Sequence, residues 1–249
     1  MQKLLSKLRK SIQDFNMIQD GDRIAVGLSG GKDSNLLLYA LKQYQRFSPQ
    51  PFELCAITID MGLKELDLTP LIEFTKKIDV PHYVVKTSIA EIIFDIRKEK
   101  NPCSLCAKMR RGALHDAAKN LGCNKVALAH HLNDVIETFL MSMFFEGRLS
   151  TFSPVTHLEK KDIYLIRPLV YVYEKDIRSL VKKNNLPVIK NPCPANGNTQ
   201  RQNMKELIWK LEKQIPGIKD NILGAITNLQ QLNVWDKDAI RKICDNKKI

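Results

Sequence analysis

The chain has 249 residues, enough for one large α/β domain or for a core domain with a small appendage, and 44% of the residues are hydrophobic. No apolar run approaches the roughly 18 residues that a membrane-spanning helix needs, and no secretory signal is recognisable, so we expect a cytoplasmic protein without a membrane partner. The 39 basic residues outnumber the 27 acidic ones and give a formal net charge of +12, which favours a polyanionic partner, although a generally basic enzyme also fits.

The first part of the chain alternates between two patterns. An amphipathic helix is predicted over residues 1–15, and short β-branched or aliphatic runs then alternate with stretches of helical periodicity. This alternation predicts a Rossmann-like α/β fold, a parallel sheet covered by helices on both faces. The predicted strands are 23–28, 53–59, 82–86 and 125–129, and the predicted helices between them are 34–44, 69–78 and 106–121.

The remainder of the chain is mainly helical. After a predicted strand at 163–166, apolar residues recur at helical spacing through most of the C-terminal region. We therefore divide the chain into an N-terminal helix (1–20), an α/β domain (21–170) and a helical C-terminal region (171–249). The predicted C-terminal helices are 174–184, 201–214, 219–232 and 236–245.

A glycine-containing loop joins the strand 23–28 to the helix that follows. Glycines at this point let backbone N–H groups approach an anion, and the positive end of the helix dipole assists. The loop does not match the Walker pattern, because Val26 stands where the leading glycine belongs, and a tight turn with incidental polar residues is the less favoured alternative. The predicted phosphate-binding residues are Ser29, Gly30, Gly31, Lys32, Asp33 and Ser34.

Two other strand ends carry polar residues. Asp60 ends the strand 53–59, where it either borders a ligand crevice or forms a turn. His130 and His131 follow the strand 125–129, and Asp134 lies in the first turn of the next helix, where it either caps the helix, binds Mg²⁺ or transfers a proton. That helix carries an apolar stripe that we expect to be buried, formed by Ile136, Phe139, Leu140, Met143 and Phe144.

Three of the six cysteines lie in settings unlike a buried core. Cys103 and Cys106 open a helix rich in cations, and Cys193 follows a proline in a loop. An isolated Cys-x-x-Cys pair fits zinc, a redox disulfide or a cluster. Cys55 and Cys123 lie in or beside apolar strands and suit core packing.

The segment Ser29–Ser34 reads SGGKDS and resembles the signature of the PP-loop ATP pyrophosphatases, which cleave ATP between the α and β phosphates. Together with Cys103-Ser-Leu-Cys106, the later Cys193 and Arg167-Pro168-Leu169, the chain is similar to the tRNA 2-thiolation enzymes, and most closely to the 2-thiocytidine synthetases. The similarity extends from about Met1 to about Lys213. Many of those relatives have a second Cys-x-x-Cys, where this chain has Asn196.

This resemblance implies a function and its residues. ATP and Mg²⁺ would bind at the SGGKDS loop, with Asp60 and His131 beside the nucleotide. Lys32, Asp134 and Arg110 would be catalytic, and a [4Fe-4S] cluster would be held by Cys103, Cys106 and Cys193. The implied partners are tRNA, a sulfur donor (a cysteine desulfurase or free sulfide) and a second copy of the chain in a homodimer.

Basic residues near the cysteines and on a later helix are compatible with RNA, although an ordinary solvated helix face explains each of them equally well. Alternatives for the whole protein are a PP-loop ligase with structural zinc, a relative that forms 2-thiouridine, or an RNA-binding protein without activity. The basic residues are Arg97, Lys98, Lys100, Lys108, Arg110, Arg111, Arg201, Lys205, Lys210 and Lys213.

Overall fold

The computed structural model describes residues 1–63, 66–98, 102–189, 193 and 200–228. It divides into two compact units, Met1–Met204 and Lys205–Ile249. The predicted helix 236–245, the end of the predicted helix 219–232 and Asn196 lie outside the described residues. The domain boundaries proposed after residues 20 and 170 stay predictions.

In the described ranges, six strands form one sheet in the order β3-β2-β1-β4-β6-β5. Neighbouring strands are parallel, except that β5 pairs antiparallel with β6 at one edge. The predicted Rossmann-like arrangement is confirmed, and β5 is a strand that periodicity did not identify. The strands are β1 (Asp22–Gly27), β2 (Phe52–Asp60), β3 (His82–Lys86), β4 (Lys125–Ala127), β5 (Val155–Leu158) and β6 (Ile163–Ile166).

Helices connect the strands and continue past the sheet. Within the described residues, none of them is long and apolar enough to cross a membrane. A π-helical turn, Ile92–Ile96, follows α4 directly. The helices are α1 (Gln2–Asp14), α2 (Lys32–Gln45), α3 (Thr69–Lys77), α4 (Ile89–Glu91), α5 (Pro102–Asn120), α6 (Leu132–Glu146), α7 (Glu174–Lys183), α8 (Gln200–Gln214) and α9 (Ile218–Thr227).

The sheet is covered on both faces. Leu114 and Ala118 of α5 pack on alternate residues of the central strands, including Ala25 and Val126. Side chains of a strand alternate between faces, so Ile24 and Val26 point away from α5, and both are fully buried on the opposite face. Cys55 and Cys123 lie in the core cluster beneath α5, with their sulfurs 3.6 Å apart, as the core-packing interpretation expected.

The apolar stripe of α1 is buried within this chain. Leu4, Leu8 and Ile12 are almost inaccessible, and α1 packs on α2. Ser11 strengthens the attachment, because its hydroxyl donates a 2.6 Å hydrogen bond to the carbonyl of Pro168. The stripe therefore serves the chain's own core and is not evidence for a dimer surface.

The strand order creates a natural ligand site. The chain winds outward in one direction from β1 to β2 and β3, and in the other direction to β4 and β6, so the order reverses between β1 and β4. Ligands of open α/β sheets bind outside the carboxyl ends of the strands at such a point. The SGGKDS loop follows β1 and the histidine segment follows β4, so both meet at this crevice.

The described part of the second unit contains most of α8 and all of α9. Gly217, in the left-handed region at φ 83°, precedes α9. Lys219 Nζ lies 2.6 Å from Glu212 Oε2, and Lys213 Nζ stacks 3.5 Å from the centre of the Trp209 ring.

Candidate active site

The SGGKDS loop forms a closed turn at the start of α2. Gly30 adopts φ +79°, a conformation that disfavours other residues, and Gly31 is the N-cap of the helix. The Ser34 hydroxyl lies 3.0 Å from the Ser29 hydroxyl and accepts a 3.2 Å hydrogen bond from the Ser29 amide. The loop thus brings the first amides of α2 together at the crevice, as an anion site requires.

Lys32 is held by two carboxylates. Its Nζ lies 2.8 Å from Asp33 Oδ2 and 3.2 Å from Glu174 Oε1. Burial by itself lowers the pKa of Lys32, but the hydrogen bonds and charges of Asp33 and Glu174 outweigh it and leave the pKa raised. Lys32 is therefore a fully charged cation beside the loop, suited to a phosphate.

Glu174 is a site residue that sequence reasoning missed. It is buried at the first position of α7, and its Oε1 accepts hydrogen bonds from Arg178 Nη2 at 2.8 Å and Nε at 3.2 Å. Its backbone amide donates to Asn133 Oδ1 at 3.0 Å. An acidic residue at a helix start is common for reasons of the helix dipole alone, so no local signal distinguished Glu174.

His131 and Asp134 form a capping box at the start of α6. The His131 amide donates to Asp134 Oδ2 at 2.9 Å, and the Asp134 amide donates to His131 Nδ1 at 3.4 Å. His131 Nε2 lies 3.7 Å from Asp33 Oδ1, which brings the histidine segment to the loop. The capping role considered for Asp134 is thus real, and the side chain remains available at the cavity.

Arg201 also bonds to Asp134. Its Nη1 lies 3.1 Å from Asp134 Oδ1, and its Nη2 donates to the Thr138 hydroxyl at 3.2 Å. Arg201 was expected on a solvated or RNA-binding helix face. In the structure its guanidinium contacts Asp134 and Thr138 of α6.

His130 is a neutral ring at the edge of the site. Burial lowers its pKa to about 4, and the nearby cations Arg167 and Arg201 act in the same direction against the charge of Asp134. The ring packs against Phe152, with centroids 4.9 Å apart. His130 therefore contributes an uncharged ring, and not a cation, to the cavity, and its Nδ1 is buried without a hydrogen-bond partner in the part of the chain that the structure describes.

One cavity joins the loop to α5. Its volume of about 370 Å³ falls within the usual range for small-molecule sites, about 300–1,000 Å³. The floor is apolar and includes Ile57, Ile59, Leu114 and Leu128. The other lining residues are Gly27, Leu28, Ser29, Gly31, Asp33, Ser34, Ala107, Arg110, Arg111, Ala129, His130 and Asp134.

The Cys-x-x-Cys pair lies in the first turns of α5, just beyond the cavity. Burial raises the pKa of Cys106, Arg110 lowers it through a hydrogen bond and its charge, and Cys193 and Cys103 raise it further. The three thiols are therefore electrostatic neighbours. Among the described residues, however, no three metal-binding side chains stand close enough to hold a metal ion as they are.

Asp60 is placed at the carboxyl end of β2, as expected, but it forms a turn. Its Oδ1 accepts a 2.9 Å hydrogen bond from the Gly62 amide. Its carbonyl accepts from Thr87, through the amide at 2.9 Å and the hydroxyl at 2.8 Å. The turn-forming alternative therefore accounts for this residue's contacts, and its nucleotide contact stays a prediction.

The crevice, the glycine loop at the end of β1 and the cation beside it define an ATP-binding α/β protein of the PP-loop type, and the model of the PP-loop domain matches residues 2–211. The chain is 38% identical to a tRNA-cytidine(32) 2-sulfurtransferase of Geobacter sulfurreducens, over 98% of this chain and 95% of the relative. It is also 38% identical to one of Ralstonia pickettii, over 95% of this chain and 76% of the relative. The chain therefore belongs to the PP-loop family of the tRNA-cytidine(32) 2-sulfurtransferases.

Solved structures share the fold of this chain. The U34-tRNA thiolase NcsA of Methanococcus maripaludis, described with its [4Fe-4S] cluster, is similar with a TM-score of 0.75 and 25% identity, over 95% of this chain and 80% of that one. An NH3-dependent NAD synthetase of Campylobacter jejuni shares the fold, with a TM-score of 0.52 and 15% identity, over 94% of this chain and 98% of that one.

Proposed function

We propose that this protein is an ATP-dependent tRNA sulfurtransferase that replaces the C2 oxygen of a cytidine in the anticodon loop, at position 32, with sulfur. The main observation in support of this proposal is the cavity that has the SGGKDS loop on one wall and the cysteine-bearing helix α5 on another. A single chamber can thus hold ATP and the target base next to the thiols. The names of the relatives support the same chemistry.

In the first step the cytidine C2 oxygen attacks the α-phosphorus of ATP. A new O–P bond forms, the bond from the α-phosphorus to the bridging oxygen breaks, and pyrophosphate leaves. The amides at the start of α2 and the Lys32 ammonium bind the departing pyrophosphate, because each is a donor fixed before the charge develops. The apolar floor at Ile57 and Leu128 suits the adenine ring.

Mg²⁺ fits the phosphate end of this chamber. Among the described residues, Asp33 Oδ1 is buried and lacks a hydrogen-bond partner. Mg²⁺ is usually held by one or two carboxylates together with substrate phosphates. We assign Asp33 and Asp134 as the carboxylates available to an ATP-bound Mg²⁺.

The donor set also fits an iron–sulfur cluster. Cys103, Cys106 and Cys193 supply three thiolates of the kind that bind such clusters, and Cys103 and Cys106 lie three residues apart in the first turns of α5. When bound to these cysteines, a [4Fe-4S] cluster would leave one iron without a protein ligand and supply the sulfur at that position.

In the second step sulfur bonds to C2 of the adenylated base and AMP leaves with the former C2 oxygen. Arg110 lines the cavity and hydrogen-bonds to Cys106, so its charge can stabilise the departing AMP. Asp134 lines the same cavity and is oriented by Arg201 and by the α6 cap, which suits it to proton transfer.

The remaining parts of the proposal concern partners and location. Lys108 and Arg111 lie exposed on α5 beside the cavity, where they can bind the phosphates of a tRNA whose target base is turned into the chamber. A cysteine desulfurase or free sulfide donates the sulfur. The enzyme works in the cytoplasm, as a homodimer.

The test is thiolation by protein purified without oxygen. Wild-type protein with Mg-ATP, sulfide and unmodified tRNA should form 2-thiocytidine, detected by mass spectrometry of digested nucleosides, and should contain about four irons and four sulfides per chain. Cys193→Ser should lose the cluster and the product while still binding Mg-ATP. Cys55→Ala is the matched control, because it removes a core thiol and should keep both.

Other outcomes would support the alternatives. Full thiolation by iron-free Cys193→Ser protein would refute the cluster mechanism. Zinc in place of iron would favour a PP-loop ligase, and thiolated uridine in place of cytidine would identify a 2-thiouridine enzyme. Neither alternative is favoured by the curated relatives named above, which carry the cytidine name.

A further inference from the structure

The segment after α7 is hydrogen-bonded to the backbone of the SGGKDS loop. The Ile189 amide donates a 2.9 Å hydrogen bond to the Gly30 carbonyl. Asn35 Nδ2 donates to the same carbonyl at 3.3 Å and also to the carbonyl of Pro187. We call Pro187–Ile189 the strap.

The strap is fitted closely to the loop. A side chain at Gly30 would place its Cβ 3.2 Å from Cβ of Ile189, so the glycine permits the contact. Asn35 is fully buried in α2, where its amide joins two segments that are far apart in the sequence. The other end of α7 is bonded to the loop through Glu174 and Lys32. Helix α7 is thus attached to the loop at both of its ends.

One peptide group connects the strap to the nucleotide. The Gly30 carbonyl and the Gly31 amide belong to the same planar unit and point in opposite directions. On one side the Gly30 carbonyl accepts the hydrogen bond from the Ile189 amide of the strap. On the other side the Gly31 amide makes only a long contact, 3.4 Å to the Ser29 hydroxyl, and is placed to donate to a phosphate. A phosphate that fixes the amide therefore also fixes the orientation of the carbonyl.

The strap leads to the third cysteine. Three residues separate Ile189 from Cys193, so their Cα atoms lie at most about 14 Å apart. The thiols of Cys103, Cys106 and Cys193 are not gathered tightly enough to hold a metal ion. Binding a cluster therefore requires the thiols to approach one another, and Cys193 is the one that follows the strap in the sequence.

We infer that Asn35 and the Ile189 amide are positioning groups that couple nucleotide binding at the loop to the placement of Cys193. This inference rests on the proposed function, because it assigns ATP to the loop and a cluster to the cysteines. Coupling of this kind is reciprocal: the nucleotide favours the cluster-binding position of Cys193, and the bound cluster raises the affinity for the nucleotide.

The test measures thiol reactivity in full-length, cluster-free protein. The rates of alkylation of Cys193 and Cys103 by iodoacetamide are followed by peptide mass spectrometry, with and without saturating Mg²⁺ and a non-hydrolysable ATP analogue. We expect the nucleotide to change the Cys193 rate by about tenfold, within the usual range of allosteric coupling, and the Cys103 rate by less than about twofold. In cluster-loaded protein the nucleotide should slow iron loss to a chelator.

Two variants remove the connection. Ile189→Pro deletes the amide donor, and Ile189→Ala is its matched control because it keeps that donor. Ile189→Pro should bind the analogue within about threefold of wild type but lose the nucleotide effect on Cys193. Asn35→Asp, which cannot donate to the two carbonyls, should give the same loss, and thermal unfolding shows that each variant is folded.

The outcomes separate this inference from the proposed function. A nucleotide effect on Cys193 that survives in folded Ile189→Pro protein overturns the coupling, as does equal protection of Cys103 and Cys193. Either result leaves tRNA thiolation untouched. Failure of wild-type protein to bind the analogue overturns both.

Discussion

Replacing Glu174 by glutamine removes the negative charge that competes with ATP for Lys32. Glutamine keeps an oxygen that can accept the 3.2 Å hydrogen bond from Lys32 Nζ, so the loop geometry is preserved while the charge is lost. The raised pKa of Lys32 falls toward its usual value but leaves the amine protonated at neutral pH. We expect Mg-ATP to bind more tightly.

The magnitude follows from distances. A phosphate oxygen on the far side of Lys32 lies about 6 Å from the Glu174 carboxylate, the sum of the 3.2 Å contact and a lysine–phosphate contact of about 2.8 Å. Two unit charges at this separation repel by about 0.7 kcal/mol in water and about 2.8 kcal/mol at an effective dielectric of 20. Mg²⁺ and salt reduce the value, so we expect about 1.4 kcal/mol, a tenfold gain in affinity.

Calorimetric titration with a non-hydrolysable ATP analogue and Mg²⁺ measures this change. Arg178→Gln is the matched control, because it removes the cation that neutralises the same carboxylate, 2.8 Å from Oε1. Arg178 is largely exposed, so its loss should weaken binding by only about two- to threefold. If folded Glu174→Gln protein bound the analogue equally or more weakly, Glu174 would not compete with the ATP phosphates for Lys32. Its role would then be to hold the SGGKDS loop in place.

Two other substitutions test the histidine segment. Asp134→Asn keeps an acceptor for the α6 cap but loses the acid, so the thiolation rate should fall at least about a hundredfold while the Tm stays nearly unchanged; a rate within tenfold of wild type would limit Asp134 to capping. The second substitution, His130→Phe, tests how the stability of the protein depends on pH. Because the folded-state pKa of about 4 lies below the unfolded value of about 6.5, the unfolded chain binds more protons between those values, and His130 costs about 2 kcal/mol of stability as pH falls from 7 to 5. Denaturant unfolding at both pH values should show a smaller loss for His130→Phe, and equal losses would show that His130 is not buried as a neutral ring.

The parts of the site that are continuous in sequence were predictable. Glycine placement and the alternating pattern located the loop at Ser29–Ser34 between a strand and a helix, and the structure has that arrangement. Cys103 and Cys106 were correctly placed at a helix start. Each of these predictions depends on neighbours along the chain, for which periodicity and turn chemistry are direct evidence.

The parts that depend on distant contacts were not predictable. Glu174 and Asn35 act through residues about 140 and 150 positions away, and nothing near them in sequence indicates those partners. Phe144 was expected in the buried stripe of α6, but it is 51% exposed because the end of that helix extends beyond the packed part of the domain. Strand β5 was missed, since four residues containing Thr156 and His157 show little apolar alternation.

The cap of α6 orients the ring of His131 at the crevice. The Asp134 amide donates to His131 Nδ1, and a neutral imidazole that accepts at one nitrogen carries its proton on the other, so the cap favours the tautomer with the proton on Nε2, 3.7 Å from Asp33 Oδ1. The tautomer is therefore selected by the folding of the first turn of α6, before any substrate arrives. Fraying of that turn would remove the contact at Nδ1 and with it the preference for one tautomer.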